Sequence, residues 1–368
     1  MDPPQTPDSR LQIPDFNYDA VLVVSFGGPE GMDDVIPFLE NVLRGRSVPR
    51  ERMLGVAKHY ELFGGLSPIN EQNRKLIAAL NHELETNGPS LPIYFGNRNW
   101  HPMLTDTLRQ MRDEGVKRAL AFVTSAYSSY SSCRQYLENI AEAQQAVGPG
   151  APSIEKLRAF YDHPLFIEAN VTNVRVALEQ IPEERRSQAR IVFTAHSIPE
   201  SMAKNCEYEV QLWETSRLVA EGIFVGAGVV PAHDSDSSAS PGRDKPGSYN
   251  LVFQSRSGPP AQPWLGPDVC DYLRELKAGG INDVVVAPIG FVSDHMEIIY
   301  DLDTEAKALC RELGLNMIRA ATVGTQPAFI RMIRELILER IDPGQEKRFL
   351  GTRGPAKDTC TPGCCLIR

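Results

Sequence analysis

Three carboxylates and two histidines are the residues of this chain best suited to metal or proton chemistry. Glu297, Asp301 and Glu305 recur at i, i+4 and i+8 in SDHMEIIYDLDTEA, and His295 stands just before them. If that stretch is helical, the three carboxylates share one face, where like charges repel by a few tenths of a kcal/mol per pair. Lys307 and Arg311 are the near cations in sequence, and neither follows Glu297 or Asp301 by four residues. A bound cation would relieve the repulsion. The same residues also have a plainer reading, with Glu297 as a cap, Asp301 and Glu305 as a solvated face, and His295 as a structural histidine. His196, in TAHSIPE, is an imidazole whose ordinary pKa lies near neutrality, which suits a base or a metal ligand. Taken alone, it too reads as structural.

The elements that must position these groups follow from hydrophobic patterning. Residues 284–289 (VVVAPI) are too short for a helix and read as a buried strand. After a turn, Ser293 and Asp294 offer side-chain oxygens to a new helix, and Glu297 follows Asp294 by three, as in a capping box. Ile298, Leu302, Ala306 and Leu309 give that helix an apolar stripe. The carboxylate row therefore starts beyond the carboxyl end of a strand, where open α/β sheets bind ligands. Further strands are expected over residues 20–25, 91–95, 119–124, 190–194 and 250–254, and helices over 32–43, 70–87, 104–114, 164–178 and 325–341. This alternation indicates an α/β fold of parallel βαβ units, arranged as two Rossmann-like domains whose parallel sheets face each other across a cleft. The turn-rich residues 148–152 divide a first domain, 1–150, from a second, 151–324. Helix 325–341 is able to pack back on the first domain, and 342–368 form a polar tail carrying cysteines. Strand ends would bring Phe26, Arg98, Tyr127, His196, Arg256 and Glu297 to the cleft.

The loops are informative in places. Gly27 and Gly28 follow the first strand and let backbone approach a ligand, but no G-x-G-x-x-G is present, so a dinucleotide site is poorly supported. Arg44 and Arg46 can fork onto a carboxylate or balance a helix dipole. The hydroxyl-rich residues 125–136 suit a polar ligand rim or a helix cap. Residues 229–248 form a polar, Pro/Gly/Ser-rich insertion expected to be mobile. At 368 residues, 42% hydrophobic and 23% charged, the composition is that of an ordinary globular protein larger than one core. A net charge of −9 argues against nucleic acid. The N-terminus lacks the pattern of a signal peptide and no stretch has bilayer-spanning length, so a cytoplasmic location is expected. Seven cysteines, mostly isolated before a C-terminal cluster, do not resemble a secreted disulfide framework.

TAHSIPE around His196, QSRSGPPAQPWLGPDV at 254–269 and GFVSDHMEIIYDLDTEA at 290–306 together resemble the ferrochelatases, in register from about residue 20 to 341. The cysteine-bearing tail and the lack of an anchoring segment are similar to the bacterial branch acting on coproporphyrin III. The resemblance implies an enzyme that inserts Fe²⁺ into the macrocycle with loss of two pyrrole protons. It implies that His196 and Glu297 face each other, binding iron and handling protons, with Asp301 and Glu305 as a feeding row and His295 as support. It places Ser67 and Tyr136 against the porphyrin, and Arg44, Arg46, Tyr60 and Arg98 in or near propionate-facing loops. Phe26 stands where relatives have tyrosine or methionine over the metal, and His59 where some have a propionate-binding arginine. Cys133, Cys360, Cys364 and Cys365 match the ligands of a [2Fe–2S] cluster, which leaves Cys206, Cys270 and Cys310 as ordinary thiols. The implied partners are coproporphyrin III and Fe²⁺, with a transient iron donor or haem-pathway partner. A chelatase for another tetrapyrrole or metal (protoporphyrin IX, cobalt, sirohaem) is disfavoured by the full length and the paired motifs. A non-catalytic tetrapyrrole or metal carrier is the alternative of another class.

Overall fold

A computed structural model of the chain describes residues 17–45, 48–224, 232–233, 248–258, 261–360 and 363–366. Its first sheet is built round β1 (Ala20–Ser25), which is buried along its whole length. Val21 and Val23 enter one core while Ala20, Leu22 and Val24 enter another. That alternation is what a parallel strand covered on both faces requires. β2 (Ile93–Asn97), β3 (Arg118–Val123) and β4 (Ser153–Lys156) complete a parallel sheet of order β2-β1-β3-β4.

The second sheet comprises β5 (Arg190–His196), β6 (Ala232–His233), β7 (Ser248–Gln254), β8 (Asp283–Ala287) and β9 (Asn316–Arg319), in the order β6-β7-β5-β8-β9. All its pairings are parallel. The expected α/β fold with two parallel sheets is therefore present. One boundary moves. β4 lies beyond the turn at 148–152 yet pairs with β3, so the first sheet runs on to Lys156. The turn only returns the chain for one more parallel strand and does not divide the halves. Of the insertion at 229–248, only β6 and Ser248 lie within the described residues.

The inner faces of both sheets share one core. Val23 and Phe122 from the first sheet, and Phe193 and Val285 from the second, join it. Helices Ile69–Asn87, Pro164–Leu178, Tyr208–Phe224 and Pro327–Ile341 supply its filling, including Leu76, Phe166, Val219 and Phe329. Phe122, Phe160, Phe166 and Phe329 meet with ring centroids 5.4–6.2 Å apart, and each fully buried ring contributes about 1.5–3 kcal/mol. A shared core of this kind fixes the carboxyl ends of the two sheets relative to each other. Among the described residues no helix is long and apolar enough to cross a membrane.

Candidate active site

His196 is the last residue of β5, and Glu297 stands in the first turn of the helix Met296–Tyr300 that follows β8. Since β5 and β8 are neighbours, their carboxyl ends bring the two residues together. The imidazole Nε2 lies 3.4 Å from Glu297 Oε1, and the two side chains remain 31% and 45% exposed. Nδ1 of His196 faces the Ser197 carbonyl. A carbonyl only accepts, so Nδ1 carries a proton and Nε2 is left to meet either the carboxylate or an incoming cation. The backbone on both sides is held as well: Tyr208 Oη donates to the His196 carbonyl at 3.1 Å, and Gln254 Nε2 to the Glu297 carbonyl at 2.9 Å.

The electrostatics follow from this contact. Enclosure opposes charge on either group, but their mutual attraction prevails, raising the His196 imidazole to about 9 and lowering the Glu297 carboxyl to about 2. The resting state is thus an imidazolium–carboxylate pair. Asp301 differs from Glu297, because burial, only partly countered by the Ser255 hydroxyl, lifts its carboxyl to about 7, with Glu297 and Glu305 adding to the rise. Ser255 adopts φ 62°, one of two described non-glycine residues with a left-handed backbone. A strained residue holding a key carboxylate is a common companion of function.

The helix does not begin as its sequence suggests. His295 is the N-cap, and its Nδ1 accepts the Glu297 N–H at 3.1 Å. The expected capping box from Asp294 is absent because Arg319 and Thr322 take the Asp294 carboxylate instead. Glu297 is therefore the second helical residue, not a reciprocal cap. Further on, Asp301–Ala306 is a π-helical turn. In an α-helix each step of four residues overshoots a full turn by about 40°, whereas the wider turn draws the row back. Ile298, Leu302, Ala306 and Cys310 accordingly stay buried in one line. π turns often occur at functional sites.

Across from this pair is an aromatic wall. Phe38 packs edge-on against Phe26, Tyr60 and Trp100, with centroids 6.2, 5.9 and 6.4 Å away. Tyr60 is close enough to Glu297 that the carboxylate adds to burial in raising its phenol.

An imidazole–carboxylate pair, an aromatic wall and an acidic row thus lie together at these strand ends. The sequence model of one family, Ferrochelatase, covers residues 18–341. A ferrochelatase of Rhodopirellula baltica is 54% identical, over 95% of this chain and 93% of its own. The chain belongs to the ferrochelatase family. As a member it is a metal chelatase, acting on iron in haem biosynthesis. Proteins named coproporphyrin III ferrochelatase from Streptomyces coelicolor and Streptomyces griseus are 49% and 50% identical, each over 95% of this chain and 94% of its own. SirB from Bacillus subtilis, solved with Fe³⁺, shares the fold at a TM-score of 0.51 and 11% identity, covering 90% of this chain and 98% of its own.

The remaining residues that the ferrochelatase resemblance singled out are placed as follows. Phe26 is on the aromatic wall and 36% exposed. Arg98 stacks over Phe26 and Tyr136 at 5.6 and 4.5 Å and donates to Asn139 at 2.6 Å. Tyr136 and Ser67 are buried, and Ser67 packs so closely on Gly28 that a Cβ there would come within 2.7 Å of it. Gly27 is left-handed at φ 82° and has similarly little space against Asn97. Both glycines therefore serve close packing of the strand ends. Arg44 is exposed and bonds Asn41, while Arg46 lies outside the described residues. His59 stacks flat on Tyr300, with centroids 3.8 Å apart. The hydroxyl-rich segment is largely self-satisfied, with Ser129 capping a π turn over Tyr130–Arg134 and Tyr127 donating to the Ile289 carbonyl.

That π turn carries Cys133, and the tail comes back to it. Cys133 and Cys360 are in hydrogen-bond contact, as are Cys360 and Cys364, and Cys364 Sγ lies 3.4 Å from Cys365 Sγ. Cys365 is the other left-handed non-glycine residue, at φ 53°. The Cys133 hydrogen bond pulls the Cys360 thiol down to about 7 against the effect of burial. Among the described residues, no three His, Cys, Asp or Glu side chains are arranged to hold a single metal ion. The sulfurs meet pairwise rather than round one point. Phe38, Trp100, Tyr300, Ser255, Gln254 and Arg319 contact the candidate site residues or their neighbours and were missed by sequence reasoning. Ser255 and Gln254 could have been found from their place at the end of a strand beside His196's.

Proposed function

We propose that this chain is a coproporphyrin III ferrochelatase in which His196 and Glu297 are the reacting pair. The observation carrying this reading is the 3.4 Å approach of His196 Nε2 to Glu297 Oε1 from neighbouring strand ends. Imidazole nitrogen and carboxylate oxygen both suit Fe²⁺ as it sheds water. The macrocycle lies against Phe26 and the wall round Phe38, and its propionates are met by Arg98, Arg44 and Tyr60, with Ser67 and Tyr136 beneath. Iron entry displaces the Nε2 proton of His196, which Asp301 takes up and releases toward solvent before the next turnover. The freed imidazole and carboxylate then accept the two pyrrole protons. Asp301, whose carboxyl titrates at about 7, passes protons or iron between this pair and Glu305, which is exposed. His295 keeps Glu297 in place through its N–H.

The thiols of Cys133, Cys360, Cys364 and Cys365 fit a [2Fe–2S] cluster, which needs four thiolates. The run of contacts from Cys133 through Cys360 and Cys364 to Cys365 supports the reading, and Cys133 and Cys365, whose thiols hydrogen bonding and burial hold well above the ordinary range, would ionise only on binding iron. When bound, the cluster would supply redox-active iron remote from the insertion step. The reading as a whole is tested by anaerobic competition between coproporphyrin III and protoporphyrin IX for Fe²⁺. Preferential metallation of coproporphyrin III is expected. Preference for protoporphyrin IX, or no insertion into either, would overturn it.

A further inference from the structure

Arg319 sits on the edge strand β9, outside every motif of the site, yet it binds both ends of the segment that carries Glu297 and Asp301. Its Nη1 and Nη2 donate to Asp294 Oδ1 and Oδ2 at 3.2 and 3.1 Å, and its Nε donates to Asp303 Oδ1 at 2.7 Å. A weaker contact runs from Nη1 to the Ala320 carbonyl at 3.4 Å. The three charged side chains are only 17–31% exposed. Asp294 immediately precedes the cap residue His295, and Asp303 lies inside the π turn. Asp294 is anchored further, by Thr322 Oγ1 at 3.1 Å and, through its N–H, by Gln72 Oε1 from the first half at 2.7 Å.

We infer that Arg319 is a positioning residue for iron insertion, a single guanidinium that staples the start of the acidic helix to its π turn and so fixes Glu297 and Asp301 relative to His196. The inference rests on the chelatase reading of the site. A planar fork suits the task, since it can engage two carboxylates in fixed directions while an ammonium acts as a point charge. Without Arg319, Asp294 and Asp303 become partly buried like charges, and the π turn loses the contact that opposes its return to ordinary helix. The consequence is a shifted carboxylate row, while Phe26, Phe38, Tyr60 and Arg98 of the proposed porphyrin surface belong to elements that Arg319 does not bond.

The test compares the full-length chain with R319M, R319K and D303N, each first shown to melt cooperatively. Anaerobic Fe²⁺ insertion gives kcat and KM, and amide hydrogen exchange reports residues 294–306 against strand β5. In R319M kcat is expected to fall about 100-fold, the cost of a small misplacement of reacting groups. The porphyrin KM should stay within about 2-fold, because binding common to ground and transition states is untouched. Exchange should accelerate over 294–306 and not in β5. R319K should recover part of the rate, and D303N, which keeps the Asp294 arm, should lose about 10-fold by the same misplacement. Parent-like kcat in folded R319M, or a loss accompanied by uniformly faster exchange or an equal change in porphyrin KM, would overturn the inference. If R319M does not fold, D303N decides: parent-like rate and exchange there count against the staple. If the parent itself metallates no porphyrin, the chelatase reading fails, and local exchange over 294–306 still decides whether Arg319 holds the segment.

Discussion

The proposed reacting pair and the thiol group are assembled in opposite ways. His196 and Glu297 stand at the ends of adjacent strands in a sheet whose inner face is part of a core shared by both halves. The four thiols come from one π turn after β3 and from a tail with no helix or strand among its described residues. The tail is held mainly by polar contacts. Arg158 pairs with Glu339 at 2.7 Å, both almost fully buried, and also donates to the Arg348 carbonyl at 2.9 Å. Arg348 reaches Glu335 at 2.8 Å, Arg353 reaches Glu207 at 2.7 Å, and the Leu350 N–H donates to the Asp162 carbonyl at 2.9 Å. The exposed pairs contribute little, so the firmest anchor is Arg158, fixed by Glu339 of the last long helix, where it meets the Arg348 carbonyl of the tail. Hydrophobic packing thus prepares the first group, and polar contacts hold the segment that carries most of the second.

The contrast can be broken from either side. The largest effect is expected for Glu297→Gln, which should lower kcat for iron insertion by about 10²–10⁴-fold, the usual worth of a positioned proton-handling group. Its pH profile sharpens the point. The parent rate should rise with pH as His196, held near 9 by Glu297, loses its proton. In the variant that limb should move toward about 6.5, the value of a free imidazole. Stability carries a matching sign. The raised His196 contributes fully below about 6.5 and is lost as pH rises through about 9. The lowered Glu297 contributes above its ordinary 4.5 and is lost as pH falls through about 2. Melting curves should therefore separate variant from parent most between about pH 4.5 and 6.5.

Arg158→Met should act on the other side, costing about 3–5 kcal/mol in denaturant unfolding because Glu339 is left buried and unpaired. The tail should loosen with it, so bound iron and sulfide should fall while the folded fraction still inserts iron. Smallest is the effect of Cys133→Ser. Visible charge-transfer absorption of anaerobically purified protein should vanish, with iron insertion reduced far less than in Glu297→Gln. Equal losses of insertion in the two variants would show that the sites are not independent.

Much of the first site was legible from sequence. β-branched runs such as residues 284–289 mark strands, and polar or aromatic residues just past their ends mark a ligand-binding edge. What lay beyond reach was decided by tertiary competition. Asp294 had the spacing of a cap, but Arg319 from β9 captured it. β9 itself, NMIR with every residue half-buried, lacks the alternation that reveals a strand. The π turn was hidden for another reason, since it changes hydrogen-bond partners while leaving the four-residue spacing of Asp301 and Glu305 unaltered. Arg98 could be placed near the site, but not its engagement by Phe26, Tyr136 and Asn139. The return of the tail to Cys133 depends on residues far apart in sequence, 190 positions for Arg158 and Arg348, and no local pattern encodes it.

The central claim is that the His196–Glu297 pair performs the insertion chemistry. Single-turnover metallation of coproporphyrin III by Fe²⁺ under anaerobic conditions, parent against His196→Ala, tests it most directly. The expected result is porphyrin binding by both proteins and rapid loss of the free-porphyrin spectrum in the parent alone. Equal rates in the two would contradict the assignment.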